Sequence, residues 1–282
     1  MILVEFVEFL KIIQLLKIFV YGLKVELRRE VFSPAVFVYG KHQPVMQNGR
    51  SKKMKINDIF ESINGEVSYW GQGKVATFIR FSGCNMNCRY CDTDHSNYTK
   101  MSLDEVLDKI AGSSNITLTG GEPLLYQDAV IQIISGMPEA TFTIETNGSI
   151  DPSFLMFARD RISIVADFKG DLRTNLNAIA VMHEDEFRKK ILQRLNDQDF
   201  VKIIIKNNDD ITDAYWWIGT QMRWMQSYGK KMARFAVSPM LKKTPEYPDL
   251  YYTDVDMKAL VNVFRKTPVF VNIQLHKFIG LK

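Results

Sequence analysis

Between Val75 and Gln274, seven short runs rich in β-branched and aromatic residues alternate with longer amphipathic stretches. The runs are Val75–Phe81, Ile116–Thr119, Thr141–Glu145, Ile162–Ala166, Val201–Ile205, Arg234–Ser238 and Val269–Gln274. Helices are expected after Ser102, which can cap Leu103, Val106, Leu107 and Ile110 in a box with Glu105, and near 124–136, 184–196, 211–228 and 254–266. This alternation predicts βα units and an α/β fold, a partial (βα) TIM-like barrel with parallel strands. Six of the runs lead directly into polar or glycine-rich clusters: Gly83-Cys84, Thr119-Gly120-Gly121-Glu122-Pro123, Glu145-Thr146-Asn147-Gly148, Asp167 with Lys169, Ser238-Pro239, and Gln274 with His276. The carboxyl ends of barrel strands open on one face, so these clusters are expected to converge on one site.

The chain has three cysteines in 282 residues, all inside Cys84-Asn85-Met86-Asn87-Cys88-Arg89-Tyr90-Cys91. A disulfide scaffold spreads cysteines in pairs, whereas three thiols this close imply a metal or cluster and a reducing compartment, hence the cytoplasm. The net charge of +4 comes without a dense Lys/Arg run interleaved with aromatics, so no nucleic-acid surface is expected. Residues 1–22 are apolar but carry Glu5, Glu8, Lys11 and Lys17, too many charges for a membrane span and in the wrong order for a secretory signal. They can be read as an amphipathic helix. The preferred reading makes residues 1–53 a non-essential extension or upstream translation, with 54–282 as the functional domain. His42 and His183 carry no signal.

The spacing C-x3-C-x2-C can wrap one compact soft-metal centre. A cuboidal cluster ordinarily takes four thiolates, and only three exist here, so one iron would stay open to a bidentate small molecule. The competing reading is a zinc site completed by His95, four residues beyond Cys91.

These cysteines, preceded by Phe78-Ile79-Arg80 and followed by Gly120-Gly121-Glu122-Pro123, resemble the radical S-adenosylmethionine (SAM) superfamily. The resemblance implies a [4Fe-4S] cluster on Cys84, Cys88 and Cys91. SAM's amino and carboxylate groups would occupy the open iron, and an electron from the cluster would release a 5′-deoxyadenosyl radical. Ile63-Asn64-Gly65-Glu66, Cys91-Asp92-Thr93 and Asn272-Ile273-Gln274-Leu275-His276-Lys277 further resemble the 7-carboxy-7-deazaguanine synthase family, over roughly residues 55–282. That implies radical ring contraction of 6-carboxy-5,6,7,8-tetrahydropterin to 7-carboxy-7-deazaguanine and ammonia, with SAM regenerated. It also implies Mg²⁺ held in part by Thr93, a homodimer, and an external electron donor such as flavodoxin or ferredoxin.

By position, Ile63, Asn64, Gly65, Arg80 and Thr119 are expected to bind substrate, with Arg80 on its carboxylate. Gly121, Glu122, Glu145, Asn147, Asp167, Lys169 and Ser238 are expected around SAM. Glu145 reads equally as a salt-bridge partner, Lys169 as a solvated loop charge, and His276 as either substrate-side or structural. The family usually has Gln where Asn64 stands and Gly where Val67 stands. The rival readings are a glycyl-radical activating enzyme, a zinc-binding interaction module, and a homologue that holds a cluster without turnover.

Overall fold

A computed structural model describes residues 53–88, 91, 93–170, 172, 184–229, 231–244 and 251–281, all within the unit Arg50–Lys282. The expectations for residues 1–52, and for Arg89, Asp92 and His183, lie outside the described residues.

The chain runs β1 (Met54–Ile63), β2 (Val75–Phe81), β3 (Thr99–Met101), α1 (Leu103–Lys109), β4 (Asn115–Gly120), α2 (Gln127–Gly136) and β5 (Thr141–Thr146). It continues through β6 (Ile162–Phe168), α3 (Glu184–Phe187), β7 (Phe200–Ile205), α4 (Asn208–Ser227), β8 (Arg234–Pro239), β9 (Lys242–Lys243), β10 (Tyr251–Tyr252), α5 (Met257–Phe264), β11 (Val269–Val271) and α6 (Leu275–Phe278). Among the described residues, nine strands form one sheet in the order β11-β8-β7-β6-β5-β4-β2-β1-β3. All neighbours from β2 to β11 pair in parallel, and β1 and β3 add an antiparallel margin. This is the α/β architecture that the alternation predicts.

Strand alternation gives the sheet two unlike faces. Ile79, Phe81, Ile116, Leu118, Phe142, Ile144, Ile164, Val201, Ile203, Phe235 and Val237 point outward into the main core with the helices. The opposite register sends smaller and polar groups inward, among them Thr117, Thr143, Ser163, Lys202 and Ser238, all buried. The loop between β1 and β2 fills this inner face. Val67 packs on Val165, Phe200 and Ala236. Ser68 shares a hydrogen bond of 2.7 Å with Thr143, the Tyr69 amide donates to Ser163 Oγ, and the Trp70 indole donates to the Phe142 carbonyl at 2.8 Å. Because those partners sit near the strand starts, the loop closes the amino-terminal side and leaves the carboxyl ends open.

Helix starts follow their caps. Ser102 and Glu105 form the expected reciprocal box, Asn207 caps α4, and Asp256 caps α5. The short strands β3, β9 and β10 have no counterpart in the sequence reading, and three further features differ from it. β1 was not anticipated: Asn57, Asp58 and Glu61 interrupt its apolar residues, and a register shift between Ile56 and Asp58 breaks the period of two that Ile56, Ile59 and Ile63 would otherwise show. The last parallel strand stops at Val271, because the Asn272 side chain turns inward, accepting from the Val67 amide at 2.9 Å and donating to Ser238 Oγ at 3.0 Å. The helix expected over 184–196 closes as one α turn followed by a π turn over Arg188–Leu192. No helix among the described residues is long and apolar enough to cross a membrane.

Candidate active site

The strand ends and the cysteine loop enclose a cavity of about 480 Å³. Cys84, Cys88 and Cys91 line it, and all three thiols are free. Cys84 Sγ accepts from the Met86 amide and from Asn147 Nδ2, each at 3.4 Å. Burial pushes the Cys88 thiol above its ordinary value, the Lys169 ammonium pulls it down, and Cys84 and Cys91 add to the rise. Thiolate ligands on a soft metal fit this wall, because coordination deprotonates a thiol that burial alone would keep neutral. Amide donors aimed at sulfur fit the same chemistry. Among the described residues, no three His, Cys, Asp or Glu groups are placed to hold a single metal ion.

The Gly120-Gly121-Glu122-Pro123 turn seats the cysteine loop. The Gly121 amide donates to the Phe81 carbonyl at 2.9 Å and the Glu122 amide to the Gly83 carbonyl at 3.0 Å. A Cβ at Gly121 would sit 1.9 Å from the Gly83 carbonyl oxygen, so glycine is required for these two backbones to touch. Glu122 itself does not line the cavity. It is fully buried and accepts from the Leu124 amide (3.0 Å), Thr146 Oγ1 (2.8 Å) and the Asn147 amide (2.7 Å). Burial raises its carboxyl to about 7 despite those donors. Glu122 thus fixes the end of β5, and with it Asn147, over the cysteine loop.

A charged group crosses the cavity floor. Lys202, on β7, pairs with Glu66 from the β1–β2 loop and with Asp167 Oδ1 of β6 at 3.1 Å. Lys169 pairs with Asp167 Oδ2 at 2.6 Å, and Gln274 Nε2 donates to Glu66 Oε1 at 2.6 Å. Lys169 is therefore not a solvated loop charge. Burial works to neutralise Lys202, but Asp167, Glu66 and Glu145 together hold its ammonium firmly protonated. Burial likewise opposes the Asp167 charge, yet Lys169 and Lys202 keep it below the usual carboxylate range. Glu145 is the exception: burial and then the Glu66 charge raise it to about 7, against Lys202 and the Thr119 hydroxyl, which donates to it at 2.5 Å.

Arg80 lies beside Thr119 in the β2–β4 register. Its guanidinium stacks 5.2 Å over the Phe60 ring, faces the cavity, and leaves a buried Nε with no hydrogen-bond partner. Thr93 also lines the cavity, its hydroxyl donating to the Gly120 carbonyl at 3.2 Å.

Of the expected site residues, Gly65, Asp167 and Ser238 also line the cavity, although the Ser238 hydroxyl is engaged by Asn272. Ile63 and Asn64 do not line it. Asn64 is buried beneath the loop, its amide donating to the Lys74 carbonyl at 2.6 Å while its Oδ1 accepts nothing. His276 lines the cavity and packs so tightly on Gly65 that a Cβ there would meet Nδ1 at 1.9 Å. Sequence reasoning missed Lys202, whose signal was one charge inside the apolar run Phe-Val-Lys-Ile-Ile-Ile, and assigned no role to Glu66.

Comparisons with known proteins agree with this arrangement. Residues 78–212 match the Radical SAM superfamily. The chain is 32% identical over 249 residues to 7-carboxy-7-deazaguanine synthase from Methanospirillum hungatei JF-1, covering 86% of this chain and 91% of that one. It is 36% identical over 170 residues to the synthase of Clostridium acetobutylicum, covering 57% and 72%. Among solved structures, QueE from Escherichia coli superposes with a TM-score of 0.51 at 16% identity, over 78% of this chain and 93% of that one.

Proposed function

The chain belongs to the 7-carboxy-7-deazaguanine synthase family of radical SAM enzymes, and from that premise we infer that it contracts 6-carboxy-5,6,7,8-tetrahydropterin to 7-carboxy-7-deazaguanine and ammonia. The observation that carries the substrate assignment is Arg80, a guanidinium facing the same cavity as three free thiols and paired with no described carboxylate. A planar fork with a buried, unpartnered Nε suits a substrate carboxylate.

When bound, the cluster and SAM supply the carbon radical that begins hydrogen abstraction. Cys84, Cys88 and Cys91 would hold the cluster, with Asn147 donating to the Cys84 sulfur. Asp167 and Lys169 offer paired charges to the polar end of SAM. Thr119 and the near-neutral Glu145 present a hydroxyl and a carboxyl to the pterin, and Glu66, clamped by Lys202 and Gln274, closes the other side. Thr93 would contribute one oxygen to Mg²⁺: its hydroxyl donates to Gly120, which leaves lone pairs free for a hard cation.

The three free thiols suit a reducing compartment, and we place the enzyme in the cytoplasm with a flavodoxin- or ferredoxin-type donor. We also carry over a homodimer from the family, which light scattering of the purified chain would test. Catalysis is assigned to residues 54–282, and loss of activity in a chain begun at Met54 would overturn that assignment.

Anaerobically reconstituted protein given SAM, Mg²⁺, a low-potential reductant and 6-carboxytetrahydropterin should form 7-carboxy-7-deazaguanine, detected by mass spectrometry. Cys88→Ala should abolish it, and Thr93→Val should raise the Mg²⁺ concentration needed for half-maximal rate. Release of 5′-deoxyadenosine without the deazaguanine would reject the substrate and retain the radical chemistry.

A further inference from the structure

His95 closes the cysteine loop on itself. Its backbone carbonyl accepts from Ser82 Oγ at 3.0 Å, and its ring Nδ1 accepts from the Gly83 amide at 3.3 Å. Both contacts come from the residues that lead β2 into Cys84. At the far side of the ring, Nε2 lies 3.7 Å from Cys91 Sγ. One imidazole therefore bridges the two ends of the segment that carries all three thiols.

The bridge also fixes the tautomer. A nitrogen that accepts a backbone N–H carries no proton, so the neutral ring holds its proton on Nε2, facing the sulfur. For His95 to ligate a metal through Nε2, the proton would have to sit on Nδ1, where it would oppose the Gly83 amide.

Resting on the radical SAM reading above, we propose that His95 is a positioning residue that staples the cysteine loop and donates an Nε2–H hydrogen bond to the Cys91 thiolate, and is not a metal ligand. A donor to a ligating sulfur stabilises the more negative, reduced cluster and so raises its reduction potential. Cys84 receives comparable donors from Asn147 and Met86, so two of the three thiolates would be tuned from the protein side.

Two substitutions separate the two functions of the ring. Asn places a side-chain oxygen near the position of Nδ1 and keeps the Gly83 contact, but it has nothing to offer Cys91. Gln can place an amide N–H near the position of Nε2 and keep the donor. Wild type, His95→Asn and His95→Gln would be reconstituted anaerobically, their iron and sulfide counted, and the cluster midpoint followed by EPR without SAM. The expected result is full cluster content in all three, a more negative midpoint for His95→Asn, and a midpoint for His95→Gln nearer to wild type. An unchanged midpoint in His95→Asn would overturn the hydrogen bond, and iron lost from both variants would make His95 a ligand. Wild type that takes up zinc and no iron–sulfur cluster would overturn the family reading and this inference together.

Discussion

The ammonium of Lys202 closes on the carboxylate of Glu66 across 136 residues of sequence, with 6% and 10% of the two side chains exposed. One partner comes from a central strand and the other from the loop that fills the inner face. Breaking such a buried pair strands a charge that the remaining structure cannot hydrate, at a cost of about 3–5 kcal/mol. Lys202→Met should lower the unfolding free energy by that order in denaturant titrations. It should also reduce kcat/KM, because Glu66 and Asp167 lose the group that orients them. A variant as stable as wild type would show that the inner face relaxes around the uncompensated acids.

Glu145 predicts a pH signature. Its carboxyl is raised from an ordinary 4.5 to about 7 by burial and by Glu66. Between those two values the folded protein keeps a proton that the unfolded chain has released. Stability should therefore fall as pH rises through that window. Glu122 contributes in the same direction, its carboxyl also lying at about 7. Glu145→Gln should remove part of the slope and leave the part that belongs to Glu122. Unfolding free energies measured across the window check this, and an unaltered slope in Glu145→Gln would place its proton elsewhere.

Much of this architecture was legible in the sequence because the outward face of each inner strand is apolar while its carboxyl end is polar. Val75–Phe81 is read to the residue, and Thr141–Thr146 to within one. The cysteine loop was legible because thiols at that spacing have few other uses. Lys202 was hidden for the opposite reason. In Phe-Val-Lys-Ile-Ile-Ile a single lysine reads as a defect in a core strand, and only the pairing of β7 with β6 and the folding of the β1–β2 loop onto the sheet show that it meets Asp167 and Glu66. Glu122 stands in the most recognisable turn of the chain, yet its carboxylate serves Leu124, Thr146 and Asn147 instead of the cavity. Sequence spacing cannot reveal which way a buried carboxylate points.

Arg80 separates recognition of a carboxylate from recognition of a pterin. Lysine in its place keeps the charge but loses the fork and the stacking on Phe60. A charge-assisted hydrogen bond is worth about 1.5–3 kcal/mol, so Arg80→Lys should weaken 6-carboxytetrahydropterin binding roughly ten- to hundred-fold. Binding of tetrahydropterin without the carboxylate should change little. Equal losses for both ligands, measured by calorimetry under anaerobic conditions, would assign Arg80 to the fold and not to the substrate.

Gly121 and Gly219 should respond to alanine in opposite directions. At Gly121 the new methyl would lie 1.9 Å from the Gly83 oxygen and 2.6 Å from its carbonyl carbon, both backbone atoms that cannot swing aside. The strain is relieved only by lifting the chain beside Cys84, so Gly121→Ala should take up less iron on reconstitution and melt at a lower temperature. At Gly219, within α4, the nearest atom to the new methyl is the end of the Arg223 side chain at 3.5 Å. Alanine there gains helix propensity of about 1 kcal/mol without a clash, so Gly219→Ala should melt higher with its iron content unchanged. Full iron in Gly121→Ala, with wild-type melting, would mean that the cysteine loop does not depend on Gly83 for its seat.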